Sequence, residues 1–474
     1  MIPDGRVKAE SARLCFWQGL PLGRKRGIKP PMKTSKSLTR RTFLKTAAIA
    51  TGTAPFILPS RIWAAEVKPN DRIALGFIGM GKQNRGLMGS FLSRKEDQVV
   101  AVCDVDTHRR EAAKKTVEER YAKQADGGSY KGCAAYHDFR ELIGRKDIDA
   151  VVIATPDHWH AIIAVTAANG KKDIYCEKPL CQSVRESQAM VKAVRQNNVV
   201  FQTGSMQRSS KEFRTACELV RNGVIGKVNT VEVSVGGPAV PCDLPTEPDE
   251  PGLDWDRWLG PAPKRGYHSE LSPRGVHDHF PNWRRYREYG GGGVTDWGAH
   301  HFDIAQWGLG TDDSGPVEII PPADWQKAQS GVRLVYANGT EVIHKSGNGI
   351  WFHGTEGKVY VNRGKFELWK GSEQKAAFPK DCDAIAAEYL AGAKVRLYKS
   401  DDHHKDWLTC LRSRNRPICD VEVGAHTVIV CHLVNLAYYH GQKMRWDPKQ
   451  QSFVGGAGDA KWLDVAHRAP WSVT

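Results

Sequence analysis

Between residues 71 and 200 the chain repeats one pattern: a short, continuously apolar run, a turn, and an amphipathic segment. The apolar runs are Ile73–Ile78, 99–103, 150–154 and 174–176. A strand that is apolar at every position is buried on both faces, so it needs helices packed above and below it. The segments 107–121, 158–169 and 184–196 read as those helices, the last opened by a Ser183/Glu186 capping box. Alternation at this spacing predicts a parallel, doubly wound α/β sheet.

Beyond residue 200 the texture changes. Val231, Val233 and Val235 alternate with polar residues, and 332–336 faces 340–345 across an Asn338-Gly339 hairpin turn. Further strand-like runs stand at 350–352, 358–361 and 366–369. This half therefore reads as an α+β domain with a mostly antiparallel, open sheet. A long irregular stretch, 236–293, is rich in Pro, Trp, His and Arg, and loops of that length are usually functional. A chain of 474 residues exceeds what one core usually holds, and 41% hydrophobic residues suffice for more than one. The expected division is a leader at 1–65, a cofactor domain at 66–200 and a substrate and oligomerisation domain at 201–474. Wholesale disorder, a collagen-like chain and a disulfide miniprotein are excluded.

Gly79-Met80-Gly81 follows the first strand and opens a helix. Such a turn lets backbone approach a pyrophosphate, whose charge is favoured by the amides of a helix N-terminus. Asn84 occupies the third position of the glycine fingerprint. Asp104 ends the second strand, 25 residues after Gly79. A carboxylate there can bind a ribose diol and repel a 2′-phosphate, so NAD is expected in preference to NADP. The alternative is a tight turn and a strand-ending Asp with no cofactor.

Lys178 stands at the carboxyl end of the fourth run, within Glu177-Lys178-Pro179, where parallel sheets present their ligand crevice. Downstream, a run of glycines at 290–293 leads into Asp296, His300 and a helix ending near Leu309. If both are helical, Asp296 and His300 share a face, and a carboxylate beside an imidazole can orient it for proton exchange. The alternatives are a helix N-cap for Asp296 and a satisfied, buried imidazole for His300.

Taken together, the Gly79 and Gly81 turn, the segment Ala154-Thr155-Pro156-Asp157-His158-Trp159-His160, Glu177-Lys178-Pro179 and the Asp296/His300 spacing resemble the Gfo/Idh/MocA family of oxidoreductases. The likeness runs from about Arg72 to Trp471. Trp255-Asp256-Arg257-Trp258, Asn282-Trp283-Arg284 and Trp446-Asp447-Pro448 resemble an exported branch of that family. The resemblance implies a Rossmann cofactor domain and hydride transfer from a sugar or polyol carbinol to NAD, which a protein exported to a compartment lacking free NAD is expected to hold tightly. It implies that Lys178 contacts the reacting hydroxyl, Asp296 helps bind substrate and His300 exchanges the proton. Thr155, Pro156, His160 and Glu177 would line the cofactor. Trp283 and Arg284 are candidates for sugar contact, with a packed Trp and a structural Arg as the alternative. The same residues would serve an NAD-dependent glycosidase that oxidises its substrate transiently, eliminates the aglycone and reduces the product back. A non-catalytic sugar-binding protein is the third reading. A homo-oligomer joined through the open sheet is expected by the same resemblance.

The formal charge of +15 suggests nucleic acid until its location is considered. Residues 1–65 hold 13 Lys+Arg and 2 acids, a balance of +11, which leaves 55 − 51 = +4 for the remaining 409. The excess surrounds Arg40-Arg41-Thr42-Phe43-Leu44-Lys45 and a short apolar stretch, which resembles a twin-arginine signal. Export machinery is then the partner and the periplasm the destination, with Met32 a natural start; the stretch is too short for a stable membrane span. No nucleic-acid partner is expected. Ten cysteines follow Glu66 with no Cys-x-x-Cys pair, so buried thiols are expected. The pairs His277/His279, His300/His301 and His403/His404 lack metal-site spacing, and no metal is assigned.

Overall fold

The computed structural model describes residues 71–125 and 128–473; the leader and its paired arginines lie outside them. The first sheet is formed by β1 (Ile73–Ile78), β2 (Asp97–Cys103), β3 (Ala134–Tyr136), β4 (Ala150–Ile153), β5 (Asp173–Cys176) and β6 (Phe201–Thr203). All are parallel, in the order β3-β2-β1-β4-β5-β6. That is the doubly wound Rossmann order, whose direction reverses between β1 and β4 and opens a crevice at their carboxyl ends. Burial explains the apolar runs: every residue of β4 is enclosed. Helices Lys82–Phe91, Thr107–Ala122, Asp157–Asn169 and Val184–Asn197 follow their strands. The Ser183/Glu186 capping box forms as expected. Strands β3 and β6 are three residues each, too short to leave a pattern in the sequence.

The second sheet has ten strands: β7 (Val228–Ser234), β8 (Glu318–Ile320), β9 (Arg333–Val335), β10 (Glu341–Lys345), β11 (Gly349–Gly354), β12 (Gly357–Asn362), β13 (Lys365–Lys370), β14 (Glu373–Ala376), β15 (Met444–Asp447) and β16 (Ser452–Phe453). Their order is β14-β13-β12-β11-β7-β10-β9-β8-β15-β16. Only the central β7/β10 pair is parallel. The Asn338-Gly339 turn joins β9 to β10 in the expected antiparallel register. Val231, Val233, Phe352, Val359 and Phe366 are buried inward against helices Lys211–Arg221, Gly298–Leu309 and Val421–His440, while Trp351, Tyr360 and Trp369 remain half-buried on the other face.

Helix Val421–His440 is apolar on all sides and long enough, by length and composition, to cross a membrane, yet most of it is buried inside this fold. The chain also returns to the first sheet. Helix His403–Ser413 places Trp407 in a core with Phe77, Phe91 and Tyr175, and Trp471 packs edge-on against Trp159 at 4.7 Å. These shared cores hold the crevice between two sets of elements. Among the described residues ten cysteines are free and nine of these are buried, six of them within strands or helices.

Candidate active site

The cofactor side of the crevice starts at Gly79, whose φ of +83° is strained for any residue with a Cβ. A Cβ there would also lie 2.9 Å from the Thr155 backbone. Gly81 is the N-cap of helix Lys82–Phe91, which has no side-chain cap and no acid in its first turn. A Cβ on Gly81 would meet nothing within 4 Å, so the helix amides open onto free space that favours an anion. Asn84 departs from the glycine pattern for a structural reason: it is buried and its Nδ2 donates to Ile78 O at 3.0 Å, tying helix to strand.

Asp104 directly follows β2 and lines the same cleft, which spans about 920 Å³ including its open mouth. Its carboxylate accepts from the amides of Met80 (2.6 Å) and Asp106 (2.8 Å). Burial pushes the carboxyl up, with Arg109 opposing. Thr155 and Pro156 wall the cleft, and the buried Thr155 Oγ1 has no partner among the described residues. Residues 271–281 cross over it. Arg109 Nε donates to Gly275 O at 3.1 Å and its Nη2 to Ser272 Oγ at 3.2 Å and Pro273 O. Arg85 reaches His277 O and, at 2.9 Å, Asp278 Oδ1, while Lys82 donates to Asp278 O. This strap, anchored mostly through its own carbonyls, has no motif that sequence reading could have found.

A second cavity of about 1110 Å³ adjoins the first, sharing Gln83, Thr155, Trp283 and Arg284 with it. Lys178, one residue past the strand-to-loop turn after β5, donates from Nζ to Asp296 Oδ1 at 2.6 Å and Asp296 O at 2.9 Å. Arg284 Nε stands 3.8 Å from the same Oδ1. Burial would raise the Asp296 carboxyl, but Lys178 and then Arg284 outweigh it and hold it below its ordinary value, so it is ionised.

One continuous helix through Asp296 and His300 does not form. Asp296 ends the short helix Gly292–Asp296, Trp297 breaks the run, and His300 lies in the first turn of Gly298–Leu309. Both residues nevertheless line the one cavity. The capping alternative fails because the carboxylate is spent on Lys178 and caps no helix. The satisfied-imidazole alternative fails too: His300 is buried and its Nδ1 has no hydrogen-bond partner among the described residues. Burial, then the charges of Lys178 and Arg363, hold its pKa well below the ordinary histidine value. His300 is therefore neutral near pH 7 and able to accept a proton.

Glu177 is buried, accepting from Gln83 Nε2 at 3.0 Å and from the Lys178 amide at 3.3 Å. His160 lies between Pro179 O (2.8 Å from Nδ1) and Thr155 O (3.0 Å from Nε2). Burial lowers its pKa to about 4, so the neutral ring donates to one carbonyl at a time and braces two loop turns of the crevice. Trp283 is buried with the Arg284 guanidinium 4.2 Å over its ring, and both face the cavities. Arg363, from the β12–β13 turn, completes the lining and was not singled out by the sequence. The other histidine pairs are engaged with neighbours: His403 with Thr203 O and Ser209, His404 with Ser90, His277 with His279 O.

Comparison with known proteins fits this geometry. The model of an oxidoreductase family with an NAD-binding Rossmann fold matches residues 73–205, and that of the family's C-terminal alpha/beta domain matches 240–473. Inositol 2-dehydrogenase of Salmonella typhimurium is 31% identical over 156 residues, 33% of this chain and 42% of that protein. A glycosyl hydrolase family 109 protein of Shewanella is 31% identical over 162 residues, 31% of this chain and 35% of that protein. The chain thus spans less than half the length of these curated relatives. The WlbA dehydrogenase of Bordetella pertussis, solved with NADH and UDP-GlcNAcA, shares the fold at TM-score 0.54 and 17% identity, covering 80% of this chain and 98% of its own. With the two family models together spanning most of its length and its crevice built as described, the chain belongs to the Gfo/Idh/MocA oxidoreductase family and carries that family's NAD-binding Rossmann fold.

Proposed function

We propose that the protein is an NAD(H)-dependent oxidoreductase that transfers hydride between the nicotinamide and a carbinol or keto carbon of a sugar, sugar derivative or polyol. The observation that carries this reading is the meeting of Lys178, ionised Asp296 and neutral His300 in a cavity that adjoins the Gly79–Gly81 cleft. The cleft suits a dinucleotide: open helix amides at Gly81 for a pyrophosphate, the Asp104 carboxylate for a ribose, and the unpartnered Thr155 hydroxyl between them and the second cavity. Bound there, NAD would supply the hydride acceptor. Lys178 donates a hydrogen bond to the substrate hydroxyl, Asp296 fixes the ammonium that does so, and His300 takes the hydroxyl proton. Glu177 and His160 position the loops carrying Thr155 and Lys178. Trp283 offers a ring face to sugar C–H bonds, and Arg284 offers hydrogen bonds.

Arg109, spent on the strap carbonyls, is poorly placed to receive a 2′-phosphate, which supports NAD over NADP. The strap supports tight retention of the cofactor. The paired Arg40-Arg41 supports export into the periplasm, and cell fractionation that recovers the protein only from cytoplasm would count against it. The half-buried aromatic face of the second sheet, with Trp351, Tyr360 and Trp369, supports a homo-oligomer.

A second reading, an NAD-dependent glycosidase, is favoured by the glycosyl hydrolase family 109 relative. The two separate on a panel of sugars and glycosides followed at the nicotinamide absorbance. Net NADH formation supports the dehydrogenase; aglycone release without it supports the glycosidase. Full activity of a Lys178→Ala variant would sink both.

A further inference from the structure

One cation in the substrate cavity has no partner. Lys178, Arg284 and Arg363 face the cavity, with three carboxyl groups, Asp157, Glu177 and Asp296; burial pushes the first two up, Asp157 well above its ordinary value. Asp296 is taken by Lys178 at 2.6 Å and has Arg284 at 3.8 Å. Glu177 is bonded to Gln83 and to the Lys178 amide. Arg363 is left over: its guanidinium lies 4.9 Å above the ring of Trp297, the residue between Asp296 and the helix of His300, and no carboxylate among the described residues stands within ion-pair distance of it. Arg363 is exposed on the β12–β13 turn, and a guanidinium held over a ring with no carboxylate partner leaves N–H groups that match the two oxygens of a carboxylate.

From this we infer that the substrate is an acidic sugar, a uronic or aldonic acid, whose carboxylate is held by Arg363 while its reacting carbinol lies at Lys178 and His300. This rests on the hydride-transfer reading above. One unpaired guanidinium fits a monoanion better than a dianionic phosphate. In the reaction the carbinol C–H hydride passes to NAD, the hydroxyl proton passes to His300, and the products are a keto acid and NADH. The carboxylate itself is unchanged.

The test uses purified full-length protein with NAD and matched pairs of substrates: glucuronate with glucose, galacturonate with galactose, gluconate with glucitol, and glucose 6-phosphate as a dianionic control. Oxidation of acids in preference to their neutral partners is expected, with Arg363→Gln raising KM for the acid on the order of 10- to 100-fold, the effect of losing a charged hydrogen-bond pair. The acid-to-neutral ratio of kcat/KM should fall by the same factor, and Arg363→Lys should recover part of it. Calorimetric titration of the acid into the NAD-loaded protein reads the same loss without turnover. Oxidation of neutral sugars alone, preference for the phosphate, or an unchanged ratio in Arg363→Gln overturns the inference while leaving the oxidoreductase reading intact. No NADH from any member, with no calorimetric binding of the acids, removes both.

Discussion

Replacement of Lys178 by Met removes the hydrogen-bond donor and keeps much of the side chain's bulk. The ion pair it breaks is partly enclosed, with side-chain exposures of 16% for Lys178 and 25% for Asp296. At an effective dielectric near 20, the attraction at 2.6 Å is roughly 6 kcal/mol, and that between Arg284 and Asp296 at 3.8 Å is roughly 4 kcal/mol. Asp296 therefore keeps a cation, and the fold is expected to survive. Loss of a donor that stabilises charge developing on the substrate oxygen costs about 3–4 kcal/mol of transition-state energy, or about 10²–10³ in kcat. A second effect accompanies it. Lys178 is, after burial, the largest cause of the depressed His300 pKa, so in Lys178→Met that pKa rises toward its ordinary value. Because His300 must be unprotonated to act, the acid limb of residual kcat/KM moves to higher pH. The assay is NADH absorbance across pH, with denaturant unfolding to confirm the fold. A variant that folds normally, keeps kcat within threefold and shows an unmoved acid limb would refute the assignment.

His300→Asn removes the proton acceptor and is expected to lower kcat by roughly 10²–10⁴, with loss of the acid limb. In the parent protein that limb lies below the ordinary histidine range, because burial favours the neutral ring. Asp104→Asn keeps an acceptor for only one of the Met80 and Asp106 amides, which bond to different carboxylate oxygens, and removes the charge, so the NAD-to-NADP ratio of kcat/KM should fall on the order of tenfold or more. Arg109→Ala releases three hydrogen bonds to the strap; nucleotide remaining after extensive dialysis, measured by mass spectrometry of the denatured protein, should drop sharply. Equal retention in parent and variant would separate the strap from cofactor holding.

What the sequence revealed, and what it hid, follows from the range of the interactions. Strands β1, β2, β4 and β5 were legible because burial on both faces leaves an uninterrupted apolar run. The β9–β10 hairpin was legible because Asn338-Gly339 is a local turn signal. Lys178, Asp296 and His300 could be named because each sits in a local motif. Helix Val421–His440, buried all round, has no polar face and so gives no amphipathic period. The break at Trp297 was hidden, since the Asp296/His300 spacing reads the same for one helix or two. Arg363 and the strap were invisible for a different reason: each matters only through residues far away in the chain, Arg363 over Trp297 and Arg109 against Gly275.

The cations that line the substrate cavity also set the proton affinity of His300, which couples binding to basicity. After burial, Lys178 and Arg363 are the first two charges that depress the His300 pKa. A carboxylate placed against Arg363 cancels one of them. The imidazole then becomes a stronger proton acceptor only when an acidic substrate is present, and stays weakly basic in the free protein. The acid limb of kcat reports the substrate complex, and that of kcat/KM the free protein. For an acidic substrate the limb in kcat should therefore lie at higher pH than the limb in kcat/KM. For its neutral partner this contribution is absent, since nothing offsets Arg363. Arg363→Gln removes the depressing charge itself, so its kcat/KM limb should move up toward the position of the parent's kcat limb, and the two limbs should converge. Limbs that coincide for acidic and neutral substrates alike in the parent protein would show that Arg363 and His300 are not coupled in this way.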